Sequence, residues 1–287
     1  MNSAREKGVY DLAHRGNGDR PNAPVNFDRQ ITLGRTGLKV GRLGISSSFG
    51  APAAAFEEAF ERGCNYFTWG TFIRGRSGEM QSAIKNIVGR GRREALVLAM
   101  ISYAHSAVLT EFFLEKGLKA AGLDYADVLL LGYFPRRPPQ RVIDGALRLK
   151  EKGRVRFIGL TSHNRKVFPL LRNEGLFDVH HIRYNAVHRG AEIETFPYLA
   201  GDDRPGVVSF TATSWRRLLD SRKMPPGTPP LTAADCYRFV LSNPTVDVCM
   251  MGVKNTKQMR ENLKLLDGGP LREEELDAMR KIGDHIH

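Results

Sequence analysis

Cysteine is scarce: Cys64, Cys236 and Cys249 are three in 287 residues, too few and too far apart for a disulfide framework or a CxxC metal site. A reducing cytoplasm is the simplest compartment for such a chain. Long apolar runs are also missing, and nothing approaches the roughly 18 consecutive apolar residues that a membrane span needs. The opening stretch, MNSAREKGVYDLAHRGNGDRPNAP, has no apolar segment and does not read as a secretory signal. No Walker loop and no GxSxG elbow occur. The one dense histidine group, HHIRYNAVHR, puts His180 and His181 on opposite faces of a strand, which argues against a shared metal.

Acidic residues are outnumbered, 31 against 43 Lys plus Arg, for a net charge of +12. A basic surface attracts polyanions, so nucleic acid enters as a partner class. The cations are spread along the chain, however, and mark no recognition helix. The densest groups, Arg90–Arg93, Pro135–Pro139 and Trp215–Leu219, read as solvated loops or as grips for an anionic cofactor or substrate.

What is present is a repeated alternation. Residues 1–28 are polar, punctuated and without periodicity, and are read as a flexible arm ahead of one domain at 29–287. A hairpin signal follows in ITLGRTGLKVGRLGIS. Strand-like runs then fall at 42–46, 64–69, 95–101, 126–132, 155–161, 179–185, 206–212 and 245–251. Helical patterns lie at 52–62, 78–89, 108–121, 140–152, 164–173, 190–200, 231–242 and 256–266. Several strands are continuous apolar runs, as parallel strands covered on both faces should be. Eight strand-plus-helix units predict an α/β fold, a (β/α)8 TIM barrel, with an added helix beyond residue 268 packed through Leu271, Leu276, Met279 and Ile282. A doubly wound sheet is the runner-up, but GISSSFGAPAAA after the first strand lacks its GxGxxG. In a barrel the functional face lies at the strand C-terminal ends. The Pro-rich segment 220–232 lies on that face, as a lid or as an ordered loop.

Several of these segments resemble one family. LGRTGLKVGRLGIS, GLDYADVLLLG, GRVRFIGLTS, RYNAVHRGAE and SNPTVDVCMMGVKNTKQMRENLKLL are similar, in order and spacing, to stretches of the aldo-keto reductases. The resemblance runs from about Leu33 to Leu266 and implies an NADP(H)-dependent carbonyl reductase. In that family a Tyr gives a proton to the substrate carbonyl, tuned by a Lys, an Asp and a His. The matching positions here hold Ile73, Ile101, Thr68 and Gly132, with Phe72 the only aromatic near the first of them. The resemblance therefore implies a degenerate or rearranged proton-donor site, since neither Ile nor Phe has a proton to give. The candidate replacements are Tyr103, His105 and His163, with Tyr133, His181, Arg183, Tyr184, His188 and Arg189 nearby on the same face.

The resemblance also implies where a dinucleotide lies. Gly252, Lys254, Asn255, Gln258, Glu261 and Asn262 match the adenosine end, with Lys254, Lys257 and Arg260 as cations for a 2′-phosphate. Thr161, Ser162 and His181 match the grip on the carboxamide. Phe210 or Trp215 matches the stacking position, and Arg216 with Arg217 the pyrophosphate. Three functions follow. One is an NADP(H)-linked oxidoreductase acting on a small carbonyl compound or metabolite. Another is an inactive sensor that keeps the same cradle, and a third, resting on net charge alone, is a nucleic-acid-binding barrel.

Overall fold

A strand buried at every position needs cover on both faces, and Ala126–Leu131 is such a strand, with all of ADVLLL buried. The computed structural model describes residues 26–70 and 78–287. In it eight parallel strands close into a barrel: β3 (Leu43–Ser46), β4 (Tyr66–Trp69), β5 (Val97–Ser102), β6 (Ala126–Leu131), β7 (Val155–Ser162), β8 (Val179–Arg183), β9 (Gly206–Phe210) and β10 (Val248–Met251), with β10 pairing back onto β3. This is the expected (β/α)8 barrel. Its covering helices include α1 (Ala53–Glu61), α2 (Gly78–Gly89), α3 (Ala107–Ala121), α4 (Gln140–Glu151), α5 (Val167–Arg172), α6 (Ala191–Glu194), α7 (Ala233–Leu241) and α8 (Thr256–Leu263).

Several expected elements are shorter than the periodicity suggested, and three of them show the local reason. The helix expected over 190–200 stops after α6 and resumes as a 3-10 turn at Phe196–Leu199. Pro197 has no amide hydrogen and its ring crowds the preceding turn. The helix expected from 164 starts only at Val167, because the Asn164 side chain folds back to accept the Lys166 N–H at 3.3 Å. The strand expected to reach 185 ends at Arg183, since Asn185 Oδ1 accepts the N–H groups of Val187 and His188 and turns the chain.

The end of the barrel away from the mouth is plugged by the hairpin β1 (Ile31–Thr32) and β2 (Lys39–Val40). Leu33, Leu38 and Val40 pack with Tyr66, Val97, Val128, Val179, Val208 and Val248 in one buried cluster. The approach is close enough to dictate glycine at 206, where a Cβ would lie 2.5 Å from Leu33 Cγ. Asn65 ties the plug to the wall: its side chain accepts the Gly41 N–H and donates to Lys39 O and Ala95 O, all at 2.9 Å. Replacing it with Ala strands the buried Gly41 N–H and removes the partner of two half-buried carbonyls. Asn65→Ala is expected to cost on the order of 2–3 kcal/mol, read as a shift in urea midpoint without a change in slope.

The terminal helix α9 (Glu273–Ile286) packs as expected, with Met279, Ile282 and Ile286 buried. Gly283 meets the Ala186 backbone there with no room for a Cβ. Packing at the other end begins within the segment read as an arm: Phe27 is buried, and its N–H bonds Gly268 O at 2.9 Å. Residues 1–25 of that reading, like Phe72 and Ile73, lie outside the described residues.

Candidate functional site

Side chains alternate along a strand, so every second residue faces the barrel axis. At the C-terminal ends this brings one residue from each strand to a common mouth: Ser46, Thr68, Ile101, Leu130, Thr161, His181, Phe210 and Met250. They line a cavity of about 940 Å³, completed by the loops after the strands and the face of α8. The volume suits a large ligand.

The floor carries a buried polar pair. His181 Nε2 and the Tyr66 hydroxyl are 2.8 Å apart, joined across 115 residues of sequence. Burial pushes the His181 pKa down to about 3, so the imidazole is neutral. Burial, and then the Asp127 charge, push the Tyr66 phenol well above its ordinary range. Its neighbour His180 points the other way, against Phe168 with ring centroids 4.9 Å apart. The opposed faces expected for the two histidines are observed. Among the described residues no group of His, Cys, Asp and Glu is placed to hold a metal.

One wall is aromatic. Tyr103 stacks on Tyr133 at 4.6 Å and 21°, Tyr133 on His163 at 5.6 Å and 9°, and His163 meets Phe210 edge-on at 5.5 Å. Burial, and then the adjoining Tyr133 hydroxyl, raise the Tyr103 pKa. Burial, and then Arg183, lower that of His163. Tyr103 also explains Gly132, since a Cβ there would lie 2.4 Å from the Tyr103 ring. The space a side chain at 132 would use is filled by a phenol from the neighbouring strand's loop.

The loop after β9 is strained. Among the described residues the non-glycine positions with positive φ are Tyr133, Thr211, Ser214, Trp215 and Arg216. Four of them line the cavity, and Ser214 sits in the same turn as the last two. Such residues cost of order 1 kcal/mol each and gather where a loop must present groups to a ligand. Trp215 is 57% exposed and edge-on to His188 at 5.8 Å. The segment 220–232 is ordered, with a 3-10 turn at Ser221–Lys223 and a buried Met224, and it lends Leu231 and Thr232 to the rim.

The wall formed by α8 starts at Asn255, whose side chain accepts the Gln258 N–H at 2.9 Å and caps the helix. Gln258 Oε1 in turn accepts the Lys254 N–H at 3.0 Å. Lys254, Gln258, Glu261 and Asn262 face the cavity with Gly252.

Of the sequence-derived candidates, Tyr103, His163, Thr161, His181, Phe210, Arg216, Gly252, Lys254, Gln258, Glu261 and Asn262 line this cavity, as do Thr68 and Ile101. Six candidates do not, the cations Lys257 and Arg260 among them. His105 stacks on Phe134 at 4.3 Å instead. Ser162 falls on the outward parity of β7, where its hydroxyl accepts the Asn164 N–H at 3.0 Å. Arg217 reaches back to the Ile286 carbonyl. Asn255 is spent on the helix cap. Of the wider cluster, Tyr184 donates to Glu192 and Arg189 pairs with Asp284. Two of the basic groups are largely paired too: Arg90, Arg92 and Arg93 with Glu57, Glu61 and Asp127, and Arg137 with Glu174.

Sequence reasoning missed Tyr66, Phe49 and Tyr237. Phe49 lays its ring where a Cβ on Gly252 would go, and Tyr237 bonds the Gly252 backbone. The glycine at 252 was the available signal for the first.

No protein-family model matches the chain. L-galactose dehydrogenase of Arabidopsis thaliana is 23% identical over 281 residues, covering 80% of this chain and 86% of that protein. An aldo-keto reductase of Bacillus halodurans superposes with a TM-score of 0.73 in its holo form, at 19% identity over 88% of this chain and 96% of that one. Its apo form superposes at 0.70. The barrel, its plugging hairpin and its terminal helix are those of the aldo-keto reductase fold.

Proposed function

We propose that this chain is an aldo-keto-reductase-like oxidoreductase. It interconverts a small carbonyl compound and its alcohol, with a nicotinamide dinucleotide along the barrel mouth and Tyr103 as a relocated proton donor. The observation that carries the reading is the exchange at Gly132: the Tyr103 ring fills the space beside it, and Tyr103 lines the cavity together with Ile101 and Leu130. A proton donor is thereby restored to the mouth although Thr68, Ile101 and Gly132 supply none.

The residues present fit a dinucleotide. Phe210 offers a ring for stacking, and Thr161 with the His181 imidazole offers polar atoms for a carboxamide. Arg216 suits a pyrophosphate, and the α8 wall suits a nucleoside. The bound dinucleotide supplies the hydride. The chain's own part is to orient the carbonyl and deliver a proton to its oxygen. An alkoxide is a stronger base than a phenolate, so the transfer from Tyr103 runs downhill even with a raised phenol pKa. Ile101, Leu130 and Met250 keep that part of the mouth apolar.

The test is direct. Tryptophan fluorescence of the full chain should quench saturably with NAD(P)H, and a panel of aldehydes and ketones should cause nucleotide oxidation, seen as loss of its near-ultraviolet absorbance. Binding with no turnover across the panel reduces the protein to an inert nucleotide-binding barrel. No binding at all removes both readings.

A further inference from the structure

We infer that Arg217 is a positioning residue: from behind the cavity wall it ties the strained turn after β9 to the end of α9, and so keeps Trp215 and Arg216 turned to the cavity. This rests on the oxidoreductase reading above for the ligand that reports the effect.

The turn needs a hold from outside. Thr211 has a φ of 64°, and Ser214, Trp215 and Arg216 follow at 49°, 53° and 70°. Successive side-chain-bearing residues in the left-handed region are disfavoured, because each Cβ crowds the carbonyl that follows. No glycine lies between 211 and 217 to relieve them. The bonds within the turn do not fix its shape. Ser214 N–H donates to Thr211 O at 2.9 Å and Arg217 N–H to Ser214 O at 3.0 Å. An ordinary turn with negative φ makes the same kind of i to i+3 bond. The Ser214 hydroxyl is buried without a partner.

Two anchors bracket the turn. At its start, the Asn185 side chain donates to Thr211 O at 2.8 Å. At its end, the Arg217 guanidinium donates to the Ile286 carbonyl. That carbonyl lies in the last turn of α9, where intrahelical partners run out and the helix dipole favours a cation. The helix is itself a firm post. Gly283 lies against the Ala186 backbone, and Arg189 donates to Arg280 O at 2.9 Å and to Asp284 at 2.6 Å. The same helix end sets the His287 ring 6.0 Å from that of His188, which meets Trp215. Trp215 and Arg216 line the cavity and Arg217 does not, so its effect on a ligand runs through the turn.

The experiment compares the full-length parent with Arg217→Leu and Arg217→Lys. A turn that keeps its present form about one-tenth of the time weakens apparent binding about tenfold. Arg217→Leu is therefore expected to raise the Kd for NAD(P)H about tenfold. Its kcat at saturating nucleotide should stay within about twofold, because Tyr103 belongs to a different strand's loop. Arg217→Lys keeps a charged donor for the Ile286 carbonyl and should hold Kd within about threefold of the parent. A second readout needs no ligand. Trp69 is buried and Trp215 exposed, so loss of tryptophan anisotropy in Arg217→Leu, and not in Arg217→Lys, reports a freed turn. Should Arg217→Leu not fold, Arg217→Gln, polar but too short to reach, takes its place. A lower melting temperature with unchanged Kd and unchanged anisotropy overturns the inference, since the contact then serves only to cap α9. A parent that binds no nucleotide overturns the oxidoreductase reading, and the anisotropy comparison then decides the tie.

Discussion

Between pH 7 and pH 5 the fold is expected to lose about 4 kcal/mol of stability, carried by two adjacent histidines. His180 and His181 are fully buried, and burial holds the pKa of each near 3, against about 6.5 in an unfolded chain. For His180 the Arg35 charge and then His181 act in the same direction. Below pH 6.5 the unfolded chain takes up these protons and the folded one does not. The contribution is therefore complete above pH 6.5 and drains away as the pH falls toward 3. At pH 5 each histidine accounts for about 2 kcal/mol. Carboxylates with lowered pKa, such as Glu115, act in a more acidic window, while His163 and His188, whose pKa values burial also lowers, are largely solvent-screened and add a smaller loss in the same direction.

The two are separable by substitution. Both ring nitrogens of His180 are buried without a partner, so His180→Leu removes an unmet polar group. It should remove about 2 kcal/mol of the loss between pH 7 and 5 and leave stability at pH 7 equal or higher. His181→Leu should remove a similar amount, while stranding the Tyr66 hydroxyl at neutral pH. Urea unfolding at the two pH values measures all four quantities. A parent chain whose stability moves by less than about 1 kcal/mol between them sinks the account.

The strands were legible because a buried parallel strand leaves an apolar run that no surface element needs, as ADVLLL and VCMM show. Helix limits were legible wherever a cap or break is encoded nearby, as at Gly122 after α3. The site was half legible. Parity along β7 separates Thr161, which faces in, from Ser162, which faces out, and that parity was available once the strand was placed. It fails one loop further: His105 sits at the inward parity of Tyr103 but lies beyond the strand end, and the turn sends it to Phe134. Partner choice was not legible at all. Nothing local couples Tyr66 to His181, or Arg260 to a glutamate 202 residues away. Those pairings follow from barrel closure, and they decide which polar groups remain for a ligand.

Tyr103→Phe should lower kcat by about 10²- to 10⁴-fold while nucleotide affinity stays within about twofold of the parent. The variant keeps the ring stacked on Tyr133 at 4.6 Å and removes only the hydroxyl, so the wall and the fold are preserved. Because burial and Tyr133 raise the Tyr103 pKa, the phenol keeps its proton well beyond the ordinary value near 10. The kcat of the parent should accordingly stay flat from pH 7 to 10, with no alkaline limb. Gly132→Ala provides an independent route to the same atom. Its Cβ would collide with the Tyr103 ring, so the hydroxyl must move, and kcat should fall although no reacting group has been deleted. Nucleotide binding, which the proposal assigns mainly to the α8 wall and the loop after β9, should survive in both variants. Retention of near-full turnover by Tyr103→Phe shifts the donor role to another group on the aromatic wall, with His163→Phe the next variant to measure.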